Sequence, residues 1–335
     1  MNVEKPYRVL SLFTGCAGLD LGFEAAGCET VAAVDLDFES CKTLRYNRPN
    51  WAVFEGDIRE YNPNLSDIDL VIGGPPCQGF SSAGKGDPKD PRNFLWKEYM
   101  RVVERVKPRA LVLENVSALT HKKNGDHLSG IMDALAVQGY NFTYGVLNAA
   151  DFGVPQARRR LVVIGLRDGV PTLPEPTHIG MHRTVWEAIA DLDDESLFDE
   201  EFSHVPPKHA AHVASRWSKL APGETDPNYR RARLDPDKPA TTIRAGGGYG
   251  PRGDHLAGFH PPIHPFKPRQ LTVREAARLQ SFPDDWLLKG SKTAQGRQIG
   301  NAVPVLFAEA IGKHVVGMLR ELDERKGHQD ERVAG

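Results

Sequence analysis

The chain has 335 residues, 40% hydrophobic and 26% charged, with a formal net charge of −2. That composition is globular, with room for one large domain or two of ordinary size. Apolar runs stay short of the ~20 residues a membrane helix needs, the charged start MNVEKPYRVLSLF is not expected to be a signal peptide, and a balance so near neutral neither suggests nor excludes nucleic acid. Cys16, Cys28, Cys41 and Cys77 form no CxxC pair, so reduced thiols in a cytoplasmic protein are expected, with no disulfide and no metal.

Taken in chain order, the first half alternates. YRVLSLF reads as a strand and GLDLGFEAAG as a helix closed by Gly27; TVAAVD is a strand and FESCKTLRYN a helix. DLVIGG is a short apolar run ended by glycines, as in a strand buried on both faces. NFLWKEYMRVVERV is helical, RALVLENV a strand, and HLSGIMDALAVQG a helix ending at Gly139. This βαβα series implies an α/β fold with a mostly parallel sheet and helices on both faces. FTYGVLNA and RLVVIGLR follow with no long helix between them and are expected to pair antiparallel at the sheet end.

After Arg167 the pattern changes. Residues 171–268 are rich in Pro, Gly and His, and 202–269 hold eleven Lys/Arg against five Asp/Glu, with six His. A second, smaller domain with a basic surface is expected. LTVREAARLQSFPDDW opens with a capping box, Thr272 with Glu275, and must end before Pro283. VPVLFAEAIGKHVVGMLREL is an amphipathic helix with Pro304 in its first turn, and the charged last dozen residues are expected to fray.

Several side chains in this frame can carry chemistry. In LFTGCAGLDLG, small residues after the first strand let a ligand approach the backbone, but the glycines fit neither GxGxxG nor a P-loop. Asp35 ends the second strand, where an acid suits ribose hydroxyls, and Asp57 can accept from an adenine amino group. Together they suggest a nucleoside-bearing cofactor. Cys77 lies past a strand's carboxyl end behind Pro75 and Pro76, which fix its approach; a thiol so held is a nucleophile candidate rather than a buried small hydrophobe. Glu114 follows ALVL, where a carboxylate is hard to read as surface and can serve as a proton donor. In VPQARRRLVVIG, Arg158 and Arg160 share a strand face and Arg159 points away. His204, His209 and His212, with no cysteine nearby, are expected at the surface rather than on zinc. GGGYG, residues 246–250, is not placed between a strand and a helix of the sheet and reads as a flexible loop of the second domain.

LFTGCAGLDLGFE, GGPPCQGFS, LENV, QARRRLVVIG, RQLTVREAARLQSFPD and QIGNAVP occur in order across nearly the whole chain. The set resembles the motifs of DNA (cytosine-5)-methyltransferases of the compact bacterial or phage type. The resemblance implies a Rossmann-like S-adenosylmethionine-dependent methyltransferase sheet over residues 1–180, completed by 296–325. It further implies a target-recognition domain over 181–268, a hinge and connecting helix over 269–295, and a frayed tail over 326–335. It gives Cys77 attack on cytosine C6, Glu114 the N3 and amine contacts, and Arg160 the carbonyl O2, supported by Gln156 and Arg158. S-adenosylmethionine would sit against Phe13 and Gly15, with Asp35 and Leu36 at the ribose end and Asp57 and Ile58 at the adenine. Pro75, Leu95, Asn301 and Val303 would complete the pocket. Gln78, Ser81 and Arg92 would meet DNA as a lid closes over a flipped base, and Thr242, Arg244, Tyr249 and Arg252 are groove candidates. Ala17 stands where the family has a second glycine, and a methyl group pressing on the cofactor turn is expected to be tolerated there. The implied partner is double-stranded DNA, met by a monomer, with or without a restriction endonuclease acting on the same site.

Three rivals can be weighed. A transfer RNA cytosine-5 methyltransferase typically has Thr where this chain has Ser81. A non-catalytic DNA-binding homologue would lack the thiol or the acid. A nicotinamide-dependent oxidoreductase would need the missing glycine fingerprint.

Overall fold

The computed structural model describes residues 5–76, 91–228, 230–245, 259 and 261–334. Cys77, Gln78, Ser81, Tyr249, Arg252 and the GGGYG run lie outside the described residues. The first half follows the alternation: β1 (Tyr7–Leu12), α1 (Gly18–Ala25), β2 (Cys28–Asp35), α2 (Phe38–Asn47), β3 (Ala52–Glu55), β4 (Leu70–Gly73), α3 (Trp96–Val106), β5 (Ala110–Val116), α4 (Gly125–Val137), β6 (Asn141–Asn148) and β7 (Arg159–Leu166). These seven strands form one sheet in the order β3-β2-β1-β4-β5-β7-β6. β1 to β5 run parallel; β7 is antiparallel to both β5 and β6, as the short connection between β6 and β7 required. Gly27 and Gly139 both take positive φ just past their helices, the left-handed stop that glycine makes cheap.

Alternate strand residues feed two layers. Val9, Leu70, Ile72, Val112 and Val162 pack with Phe23 of α1 on one face, while Leu10, Leu12, Val71, Leu111 and Val163 pack with Tyr99 of α3 and Ile131 of α4 on the other. The connection reverses direction between β1 and β4, which opens a crevice at the carboxyl ends of the strands, the usual ligand position in such sheets.

The second half holds α5 (Val185–Ile189), α6 (Ala211–Trp217), the two-stranded β8 (Thr225–Asp226) and β9 (Arg231–Ala232), α7 (Val273–Leu279), α8 (Lys292–Asn301) and α9 (Val305–Ala334). The Thr272–Glu275 capping box forms as read. Pro304 sits one residue before α9 rather than inside it. α9 continues to Ala334, with ion pairs such as Lys326–Asp168 in its second half. A stretch within Lys292–His328 is long and apolar enough to cross a membrane by length and composition, contrary to the reading of apolar runs, but it is 61% buried. Phe307, Ile311, Val315 and Leu319 of α9 explain that burial, since they sit in the core with α1.

Part of the expected basic charge is already paired within the protein. Arg233 donates to the carbonyls of Pro265, Trp217 and Leu220; Arg269 pairs with buried Glu275 at 2.8 Å, Lys267 with Asp193 at 2.7 Å, and Lys238 with Asp235 at 2.9 Å. In a segment with so little regular structure, these side chains satisfy the carbonyls and acids that helices or sheets would otherwise satisfy. The histidine expectation also changes. His204 is fully buried, its ring nitrogens 2.8 Å from Thr272 Oγ1 and from the Leu192 carbonyl, and His209 accepts from the Gln270 amide. Only His212 of the three is exposed.

Candidate active site

Four strand ends converge on the crevice. After β1 the chain turns through Phe13, Gly15 and Ala17 at φ 55°, 56° and 68°. The Gly15 amide donates to Asp35 Oδ2 at 2.7 Å and the Asp37 amide to Asp35 Oδ1 at 2.8 Å, so Asp35 ties the turn to the end of β2. An ionised carboxylate has about four acceptor sites, which leaves Asp35 capacity for ribose hydroxyls. Burial raises its pKa. A Cβ at Gly15 would meet nothing within 4 Å, so the turn faces open space, and the residues present fit a nucleoside-bearing cofactor. Ala17 does not crowd that space: its methyl group is fully buried and the residue itself takes the left-handed conformation. The departure from glycine therefore costs backbone strain, about 1–2 kcal/mol.

The other pocket candidates surround this turn unequally. Val303 closes it from behind: a Cβ on Gly18 would lie 2.1 Å from the Val303 carbonyl oxygen. Phe13 and Leu95 pack partly buried on one hydrophobic cluster and Ile58 is buried in it. Leu36 and Asn301 are exposed. Asp57 is occupied by Arg59, with Nη2 at 2.5 Å, which lowers its pKa. Arg297 of α8, absent from the sequence-based assignment, reaches Asp37 Oδ1 at 2.8 Å and so fastens the start of α2. A charge in a glycine- and glutamine-rich stretch gave no signal of that role.

β4 and β5 bring the next group together. Glu114 is buried and its Oε1 lies 2.9 Å from Arg160 Nε. A Cβ on Gly74 would lie 3.1 Å from Glu114 Oε2, so the segment leading to Cys77 runs past this carboxylate. Asn115 Nδ2 donates to the Pro75 carbonyl at 2.9 Å, a clamp that LENV contained unnoticed. Arg158 and Arg160 point inward and Arg159 outward, as strand alternation required. Arg158 is not available to a base, however: its guanidinium is buried and donates to the carbonyls of Ile243 and Gly300. Burial lowers the pKa of both arginines, Glu114 opposes that shift and Arg244 adds to it. Arg244 is exposed.

Gln156, expected to support Arg160, is fully buried and its amide is bonded within the protein. Thr242 donates to the Ala157 carbonyl at 2.8 Å. Arg92 lies in the short helical turn Pro91–Phe94 before α3 and its carbonyl accepts from the Leu95 amide.

With this geometry in view, comparison with known proteins is direct. The family model for C-5 cytosine-specific DNA methylase matches residues 7–317. The Type II methyltransferase M.XorII of Xanthomonas oryzae is 37% identical over 94% of this chain and 86% of its own length. M1.HphI of Haemophilus parahaemolyticus is also 37% identical, over 92% and 86%. Among solved structures, a protein described as a DNA modification methyltransferase encoded within an E. coli prophage superposes with TM-score 0.74 at 27% identity, covering 94% of this chain and 99% of the other. The strand order, the acid–arginine pair and the match over nearly the whole chain agree: the protein belongs to the C-5 cytosine-specific DNA methylase family and is a DNA (cytosine-5) methyltransferase.

Proposed function

We propose that the protein methylates C5 of a flipped-out cytosine in a specific duplex sequence through a covalent Cys77 adduct. The observation that carries the reading is the buried Glu114–Arg160 pair, 2.9 Å apart, beside the Gly74–Pro75 segment that leads into Cys77. The Cys77 thiolate adds to C6. Glu114 holds N3 and the exocyclic amine and favours protonation at N3, while Arg160 meets O2. The electron pair displaced from the C5–C6 bond makes C5 nucleophilic, which free cytosine lacks. S-adenosylmethionine, when bound, supplies the methyl group. C5 then loses its proton to water, the C6–S bond breaks to return the Cys77 thiolate, N3 gives its proton back to Glu114, and aromaticity returns.

Phe13, Gly15, Asp35, Leu36, Asp57, Ile58, Pro75, Leu95, Asn301 and Val303 hold the cofactor in this reading. Residues 1–180 with 296–325 form the catalytic unit, and 181–268 read the DNA, with Gln78, Ser81, Arg92, Thr242, Arg244, Tyr249 and Arg252 as contacts. The protein works as a monomer in the compartment that holds DNA, with or without an endonuclease of the same specificity. Bisulfite sequencing of DNA from cells expressing the protein should reveal one short sequence protected at cytosine. No protected cytosine above the level of cells expressing Cys77→Ala would contradict the reading.

A further inference from the structure

Gln280 closes the C-terminal end of α7. It is fully buried, as is Gln156, and the two amides form a closed ladder. The Ile243 amide donates to Gln156 Oε1 at 2.9 Å, Gln156 Nε2 donates to Gln280 Oε1 at 3.0 Å, and Gln280 Nε2 donates to the Ile299 carbonyl at 2.7 Å. Arg158 takes the remaining polar group of Ile243, its carbonyl, at 2.8 Å. The entry to β7 also pairs with this segment through Ala157 N to Ala240 O and Ala240 N to Pro155 O. Where the segment crosses α8, a Cβ on Gly300 would sit 2.2 Å from the Ala245 amide nitrogen, so only glycine allows that approach.

Three parts of the chain are thus locked in one register: the strand carrying Arg160, the helix ending at the cofactor-pocket candidates Asn301 and Val303, and residues 240–245, which lead in sequence into 246–258. We infer that Gln280 is a positioning residue that sets the recognition segment against the catalytic strand, so that sequence readout and base insertion stay aligned. This rests on the reading that 181–268 recognise DNA. The physical reason is that both amides have a donor and an acceptor end used in a fixed direction. A slip of the segment by one residue would leave buried polar groups unpaired, which native structures avoid.

The test replaces Gln280 by Met, similar in length and apolar, in the full chain. The wild-type target sequence comes from bisulfite sequencing, and single-turnover methylation is then measured on that duplex and on duplexes changed by one base pair. Binding of S-adenosylmethionine without DNA is measured by calorimetry. Gln280→Met is expected to bind the cofactor within about twofold of wild type while its preference for the target over the changed duplexes falls tenfold or more. A role confined to packing would leave that ratio unmoved, and an unchanged ratio in a folded variant overturns the inference. Should Gln280→Met fail to fold, Gln156→Met breaks the same bond from the other side and decides by the same ratio. In the double variant the loss should not exceed that of the more impaired single variant, since one ladder is broken once; multiplying losses would count against it. A wild-type protein that methylates no cytosine would instead refute the proposed reaction.

Discussion

Replacing Glu114 separates the ion pair it makes with Arg160 from the proton-donating role proposed for it. Its Oε1 sits 2.9 Å from Arg160 Nε, with the two side chains 11% and 14% exposed, and Arg158 is buried nearby. Removing one partner of a buried pair costs roughly 3–5 kcal/mol, because the other charge stays buried; residual exposure puts Glu114→Ala near the lower end, about 3 kcal/mol. Glu114→Gln keeps the shape and an acceptor for Arg160 but loses the charge, so about 1–2 kcal/mol is expected. Activity should rank differently. A positioned proton donor contributes about 10²–10⁴-fold, and the amide cannot carry a proton to N3, so Glu114→Gln should lose at least about 100-fold in single-turnover methyl transfer while remaining folded. Thermal unfolding and single-turnover assays on both variants make the comparison. Activity of Glu114→Gln within tenfold of wild type, or a loss that merely tracks the unfolded fraction, would refute the assignment.

Gly18→Ala would drive a Cβ to 2.1 Å from the Val303 carbonyl oxygen, so denaturant titration should show a loss of roughly 1–3 kcal/mol and calorimetry weaker S-adenosylmethionine binding; wild-type values for both would mean that α1 and residue 303 do not pack so closely. Asp35→Ala should weaken cofactor binding in the absence of DNA, and unchanged affinity in the folded variant would remove Asp35 from the pocket. Asp20 is fully buried and burial raises its pKa from 3.8 to about 7. The native state then binds more protons than the unfolded chain between about pH 4 and 7, so this group's contribution to stability falls as pH rises through that window. Asp20→Asn should therefore gain on wild type between pH 5 and pH 8 in parallel denaturation curves; an equal pH slope in both proteins would show that Asp20 does not titrate there.

The sheet was legible because its strands bury both faces and its helices one, so apolar runs and helical periods announced them in order. β3 was not legible: AVFE shows the mixed exposure of an edge strand. α8 was missed for a different reason. Its buried face is Ala294, Gln295, Gly296, Gln298, Ile299 and Gly300, held by amides rather than apolar contacts, as where Gln295 and Gln298 donate to the carbonyls of Leu288 and Lys289. Periodicity of hydrophobic residues cannot find such a helix. The same limit hid the Gln156–Gln280 ladder, whose members read as polar: Gln156 was expected only to support Arg160, and Gln280 was not assigned. Strand alternation did place Arg158 and Arg160 on one face; that only Arg160 reaches Glu114 depends on Gly300 and Ile243, far away in sequence, capturing Arg158.

The central claim is the covalent step, and a suicide substrate tests it most directly. Fluorine at C5 cannot leave as a cation, so an enzyme that adds Cys77 to C6 and methylates C5 should stall with the C6–S bond intact. Duplex DNA carrying 5-fluorocytosine at the target should form a denaturant-resistant complex in the presence of S-adenosylmethionine, and digestion and weighing should place the DNA on the peptide containing Cys77. Cys77→Ser should trap little or none, since a hydroxyl is far less ionised than a thiol near neutral pH. Trapping through another residue, or efficient methylation by Cys77→Ala, would contradict the mechanism.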